Sequence, residues 1–162
     1  MTRSAPDGLD AAIAAAAAEP AIFAALADIY HLVDQDIAAA SAASPASLTC
    51  LGGGGCCKFD LFDHRLYASS IEIAYLLGPD SLAPPNVARA AANRCPYQVG
   101  PRCTAYQRRV LGCRTFFCRD AAGAGQNIHE HYFQAIQALY VRHNLPYTYL
   151  SVVAAVMQPF GL

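Results

Sequence analysis

Seven cysteines carry most of the chemistry this 162-residue chain can offer, and all of them fall between residues 50 and 118. The first block reads Cys50-Leu51-Gly52-Gly53-Gly54-Gly55-Cys56-Cys57, and the second holds Cys95, Cys103, Cys113 and Cys118. Thiolates are ligands for soft metals. Cysteines set among glycines and arginines, away from aliphatic runs, are better explained by ligation than by core packing. A disulfide framework fits less well. Cys56 and Cys57 are adjacent and do not readily bridge each other, the total is odd, and a chain of this length buries a core without covalent staples. Redox chemistry and inert buried thiols are the remaining alternatives.

The glycines between Cys50 and Cys56 suit a ligand loop, because glycine turns sharply and brings amide N–H groups close to sulfur. The same run is not a phosphate loop, since neither GxGxxG nor GxxxxGK[ST] spacing is present. From Arg94 to Arg119 there are six arginines (Arg94, Arg102, Arg108, Arg109, Arg114 and Arg119) and no acidic residue, in a chain whose formal net charge is only -1. An anionic centre would account for that concentration. Four thiolates around a zinc ion or a [4Fe-4S] core carry about -2, which guanidinium groups stabilise. A solvated face paired with distant carboxylates, or an anionic partner, would also account for it.

The stretch Cys95-Pro96-Tyr97, followed by Cys103-Thr104-Ala105-Tyr106-Gln107-Arg108-Arg109-Val110-Leu111-Gly112-Cys113-Arg114-Thr115-Phe116-Phe117-Cys118, resembles the YkgJ-type cysteine-cluster proteins, described as zinc- or iron-chelating domains. Their pattern runs approximately CPF…C.IY..RP..CR.F.C, preceded by C..C..CC. Cys50, Cys56 and Cys57 fall at the first, third and fourth upstream cysteines, Arg109 matches the arginine, and Glu72 falls where the family often carries a glutamate. Gly53 stands where the second upstream cysteine would be, and Val110 where the proline would be. The resemblance spans about residues 50 to 118 and implies metal ligation. Related cysteine-cluster regions occur in flagellin lysine N-methylases, which keeps an iron-sulfur enzyme or redox protein open as the alternative function.

The expected ligands are Cys50, Cys56, Cys57, Cys95, Cys103, Cys113 and Cys118, with Arg109 and Arg114 as charge partners beside them. Cys56, Cys57, Cys113 and Cys118 are the expected core, and Cys50, Cys95 and Cys103 complete a second site or stand as spares. Zinc and an iron-sulfur cluster, [4Fe-4S] included, both satisfy this donor set. No methyl-donor fingerprint is visible, so holding a metal ranks above catalysis. Among the histidines His64 lies nearest the first block. His31 belongs to the polar face of a helix, His129 and His131 face different directions, and His143 suits a helix C-terminus.

These residues must be positioned by helices. An Ala-rich helix is expected over residues 8 to 18, closed near Glu19-Pro20. Ile22, Phe23, Leu26, Ile29, Tyr30, Val33 and Ile37 then recur at three- and four-residue intervals, with Asp28, His31 and Gln35 opposite. Ser41 to Ser47 reads as a linker. Ser69-Ser70-Ile71-Glu72 is a capping box opening a helix that stops at Gly78-Pro79. A short helix spans about Asn86 to Asn93, and Pro96, Gly100 and Pro101 mark a turn-rich loop or small hairpin. Thr104 to Leu111 reads as helical, ending near Gly112. Ile128, Tyr132, Phe133, Ile136, Leu139 and Tyr140 form the stripe of a long helix, and Tyr147 to Met157 a last one.

The expected fold is mainly α, with helices flanking an irregular cysteine-rich core. A helical segment covers 1–46, the metal-binding core 47–122, and C-terminal helices packing on the same domain 123–162. Composition, at 55% apolar and 14% charged residues, is that of a compact globular protein. The near-zero net charge argues against a nucleic-acid partner, and the apolar runs fall short of the roughly 20 residues of a membrane span. Asp7 and Asp10 argue against a secretory signal, so the expected location is cytoplasmic, where thiols stay reduced.

Overall fold

The computed structural model describes residues 18–44, 48–50, 53–78 and 84–157, together with Ala11 and Ala14. The chain is mainly helical. Helix α1, Pro20–Ala43, opens on a proline whose missing N–H would have had no partner there. Its buried face is Ile22, Leu26, Tyr30 and Val33, as the periodicity predicts. This stripe packs on α6, Ala124–Arg142, which contributes Tyr132, Ile136, Leu139 and Tyr140. Ile71 and Leu111 complete that core, so all three expected segments of the chain meet in it.

A second core gathers around Phe59, Ile73, Tyr97, Val110 and Val152, with Cys57, Cys103 and Cys113 packed against it and Cys95 inside it. Its elements are short. In chain order, the described elements after α1 are β1 (Leu48–Thr49), α2 (Phe59–Phe62), β2 (Tyr67–Ser69), α3 (Ser70–Leu77), α4 (Val87–Ala91), β3 (Gln98–Val99), β4 (Arg102–Cys103), α5 (Leu111–Thr115) and β5 (Arg119–Asp120). After α6 come β6 (Tyr149–Ser151) and α7 (Val152–Met157). The strands form three antiparallel two-stranded ladders, β1–β5, β2–β6 and β3–β4. Among the described residues, no helix is long and apolar enough to cross a membrane.

The capping box at α3 is formed as expected, with the Ser69 amide and hydroxyl both donating to Glu72 Oε2 at 2.9 and 2.8 Å. Helix α3 stops before Gly78, and Asn86 caps α4 by accepting from the Arg89 amide at 3.0 Å. The expected hairpin is β3–β4, turning at Gly100, which has φ +58°.

Three expectations shift. Tyr149–Ser151 is a strand on β2 and not the start of the last helix, which begins at Val152. Thr104 to Leu111 is not one helix. It contains a 3-10 turn at Tyr106–Arg108, and α5 begins at Leu111, where the helix was expected to end. Gly112 lies inside α5, where a Cβ would come within 3.2 Å of Leu66 Cδ1. Helix α1 also runs through Ser41 to Ala43, while residues 45–47 of the expected linker lie outside the described residues. So does most of the Ala-rich segment 8–18, of which Ala11, Ala14 and Ala18 are helical.

Candidate metal centre

The first cysteine block is folded by a 3-10 turn, Gly55–Cys57, entered through Gly54 at φ +63°. Glycine is required at that position: a Cβ on Gly54 would lie 2.6 Å from Gln98 Nε2 and 3.3 Å from Pro101 Cα. The close approach serves a hydrogen bond, since Gln98 Nε2 donates to the Gly54 carbonyl at 3.0 Å. The Cys57 amide closes the turn on the same carbonyl at 3.1 Å. The Cys95 amide donates to the Cys57 carbonyl at 3.2 Å, so the two blocks are joined through backbone. Register then pairs Gln98 with Cys103 across the β3–β4 hairpin and returns Cys103 toward Cys95. Cys113 arrives from the middle of α5, whose first turn hangs on the Val110 carbonyl.

Five thiols consequently share one neighbourhood. Cys56 Sγ and Cys57 Sγ are 4.0 Å apart. With Cys57 as donor, that contact holds the Cys56 thiol down at about 6, helped by the charges of Arg109 and His64. The neighbouring Cys57 thiol likewise lowers Cys95 to about 7, with the Arg89 charge contributing. Cys57, set between these two thiols, is pushed strongly upward. Burial pushes Cys103 and Cys113 up; the charge of Cys95 adds to both, and that of Cys103 adds at Cys113. Every one of the five feels at least one of the others.

Arg109 lies among them. Its guanidinium stacks 3.6 Å from the Tyr106 ring centroid and donates to the Tyr106 carbonyl, and its charge favours the ionised forms of Cys56, Cys103 and Cys113. Arg114, the other expected charge partner, has different commitments. It is 5% exposed, lies over the Tyr30 ring and donates to Asp34 and to the carbonyls of Arg109 and Gln107. Its guanidinium braces α5 against α1. Arg94 pairs with Asp60, and Arg108 donates to the Tyr75 carbonyl, so part of the arginine run is spent on structure. Arg89, which donates to the Cys95 carbonyl and to Gln98, is a partner the sequence reading missed because it lies outside the arginine run.

Cys50 and Cys118 are not among the thiols that act most strongly on these five. Both are exposed, and they flank the β1–β5 ladder. The grouping therefore differs from the expected core of Cys56, Cys57, Cys113 and Cys118: Cys95 and Cys103 join the cluster, and Cys118 does not. His64 lies against it, with Nε2 3.1 Å from the Cys56 carbonyl and its ring 5.1 Å from that of Phe59. His31 is exposed beside Gln35, His129 contacts Thr115, and His143 contacts Glu19.

Among the described residues no group of three or more His, Cys, Asp or Glu side chains is arranged so as to hold a metal ion. The donor chemistry nonetheless suits one. Ligands of a tetrahedral ion with sulfur at about 2.3 Å lie about 3.8 Å from each other, close to the 4.0 Å between Cys56 and Cys57. One buried polar atom also lacks a partner at this place. Tyr97 is 3% exposed, feels the charges of Cys95 and Cys103, and its hydroxyl has no hydrogen-bond partner among the described residues. No family model, curated protein or solved structure matches the chain.

Proposed function

We propose that this protein holds a soft metal, as zinc or as an iron-sulfur cluster, through thiolates drawn from Cys56, Cys57, Cys95, Cys103 and Cys113. The observation that carries the reading is that separate pieces of chain bring Cys57, Cys95, Cys103 and Cys113 into one core, with Cys56 Sγ 4.0 Å from Cys57 Sγ. Unliganded, such a cluster forces neighbouring sulfurs to share protons. A cation in their midst replaces those protons and removes the repulsion among thiolates. The resemblance to the YkgJ-type cysteine-cluster proteins supports the same reading.

Cys56 and Cys95, already biased toward thiolate, are the natural first ligands. Cys57, Cys103 and Cys113 would complete the ligand set as thiolates, the cation offsetting the cost of burying their charge. Arg109 and Arg89 hold the resulting negative charge against the protein. Bound metal would supply a crosslink among the turn at Gly55–Cys57, the β3–β4 hairpin and α5.

Anaerobic purification followed by elemental analysis and an absorption spectrum tests the proposal. A broad visible band with stoichiometric iron and sulfide identifies a cluster, and a colourless protein with stoichiometric zinc identifies the ion. A chain that binds neither, before or after reconstitution, overturns it.

A further inference from the structure

The β1–β5 ladder creates a second thiol pair, independent of the metal reading. Leu48 opposes Asp120 and Thr49 opposes Arg119. The paired residues end at Thr49 and Arg119; continued by one residue, across the bend at Cys118, the same antiparallel register would set Cys50 opposite Cys118. Directly opposed residues have Cα atoms about 4.5 or about 5.5 Å apart, according to whether their pair is hydrogen-bonded. Both spacings fall in the range a disulfide spans, and opposed side chains leave the ladder on the same face. Both cysteines are free and exposed. A Cβ on Gly125 would lie 3.0 Å from Oδ2 of Asp120, a ladder residue, so β5 packs closely against the start of α6.

We infer that Cys50 and Cys118 are a redox-active pair that closes to an intramolecular disulfide by exchange with a small-molecule disulfide of the glutathione type. One cysteine thiolate attacks a sulfur of the disulfide, forming a mixed disulfide and expelling one thiolate. The second cysteine then attacks the protein sulfur of that mixed disulfide and expels the other. Two cysteine thiols are oxidised, one small disulfide is reduced to two thiols, and the two protons end on those released thiols. The loop so closed contains Cys56, Cys57, Cys95, Cys103 and Cys113, so the bond fastens both ends of the segment that carries the clustered thiols.

The test incubates the full-length protein, as purified, with oxidised glutathione. Non-reducing proteolysis and mass spectrometry then identify the linkages, alongside metal content. The expected result is a single predominant Cys50–Cys118 linkage, loss of two titratable thiols and unchanged metal. C50S and C118S should each leave the other cysteine as a stable glutathione adduct. Independent glutathionylation of Cys50 and Cys118 in the unsubstituted protein, or predominant linkage of either to a clustered cysteine, would overturn the pairing. Metal content is read separately, so the pairing and the metal reading can fail independently.

Discussion

The amide of Cys95 donates to the carbonyl of Cys57 at 3.2 Å, and this one bond joins two cysteine blocks that are distant in sequence. Gln98 reinforces it by bonding the Gly54 carbonyl from the same hairpin. The thiols are thus gathered by backbone and amide contacts that do not themselves involve sulfur. Gly54 is the point where this framework is most sensitive. G54A places a Cβ in the left-handed region, which costs about 1–2 kcal/mol, and drives it into Gln98. Chelator competition should show metal affinity lowered about tenfold or more, since 1.4 kcal/mol is a factor of ten.

Glu72 should be the most damaging single site outside the cysteines. Its buried carboxylate accepts from the Ser69 amide and hydroxyl, from Tyr30 Oη at 3.1 Å and from the Leu111 amide at 2.8 Å. It therefore ties α1, α3 and α5 together. E72A strands four donors in the core, and loss of hydrogen bonds to a charged group costs about 1.5–3 kcal/mol each at most sites. Denaturant titration should show a loss of at least about 3 kcal/mol. E72Q should fall between, because its amide nitrogen faces donors on one side.

The reduced, metal-free protein should gain stability as pH rises from about 6 toward 8.5. Cys56 and Cys95 have folded values near 6 and 7, below the unfolded cysteine value of about 8.5. A thiol depressed in this way contributes its full stabilisation above the unfolded value and loses it as pH falls through the folded one. Cys57, Cys103 and Cys113, all shifted upward, stay protonated in the folded state and so oppose the gain increasingly as pH nears the unfolded value, flattening it there. Thermal midpoints across the range should rise, and C56S and C95S should each flatten the rise. Alkylation at neutral pH should label Cys56 first, being both exposed and the most ionised.

Tyr97 separates the empty protein from the loaded one. Its buried hydroxyl lacks a partner, so Y97F should leave the metal-free protein unchanged or about 1 kcal/mol more stable, by removing an unsatisfied group. In the loaded protein the same change should weaken metal retention, because the hydroxyl then has thiolate or cluster sulfur to donate to. Equal effects in both states would remove Tyr97 from the site.

What was legible in the sequence was local. The apolar stripe of α1, the capping box at Ser69 and Glu72, and the turn at Gly100 follow from spacings within a few residues, and all three are present. What was not legible was pairing across the chain. Tyr149–Ser151 reads locally as part of a helix, and only its partner Tyr67–Ser69 makes it a strand. Glu72 is readable as a cap, but its bonds to Tyr30 and Leu111 are not. Sequence spacing likewise favoured Cys118 over Cys103, because nothing local reveals that a hairpin carries Cys103 back toward Cys95 while Arg119, next to Cys118, pairs with β1. Val110, where the resembled pattern has proline, shows how a departure can be tolerated: it holds φ -66°, the angle proline would fix.

The most direct test of the account is metal per chain in seven single Cys→Ser variants purified anaerobically. Serine is a poor substitute for thiolate at a soft site, so C56S, C57S, C95S, C103S and C113S should lose most of the metal. C50S and C118S should keep it. Full retention across the first five, or losses as large in C50S and C118S as in those five, would contradict a metal centre built from the clustered thiols.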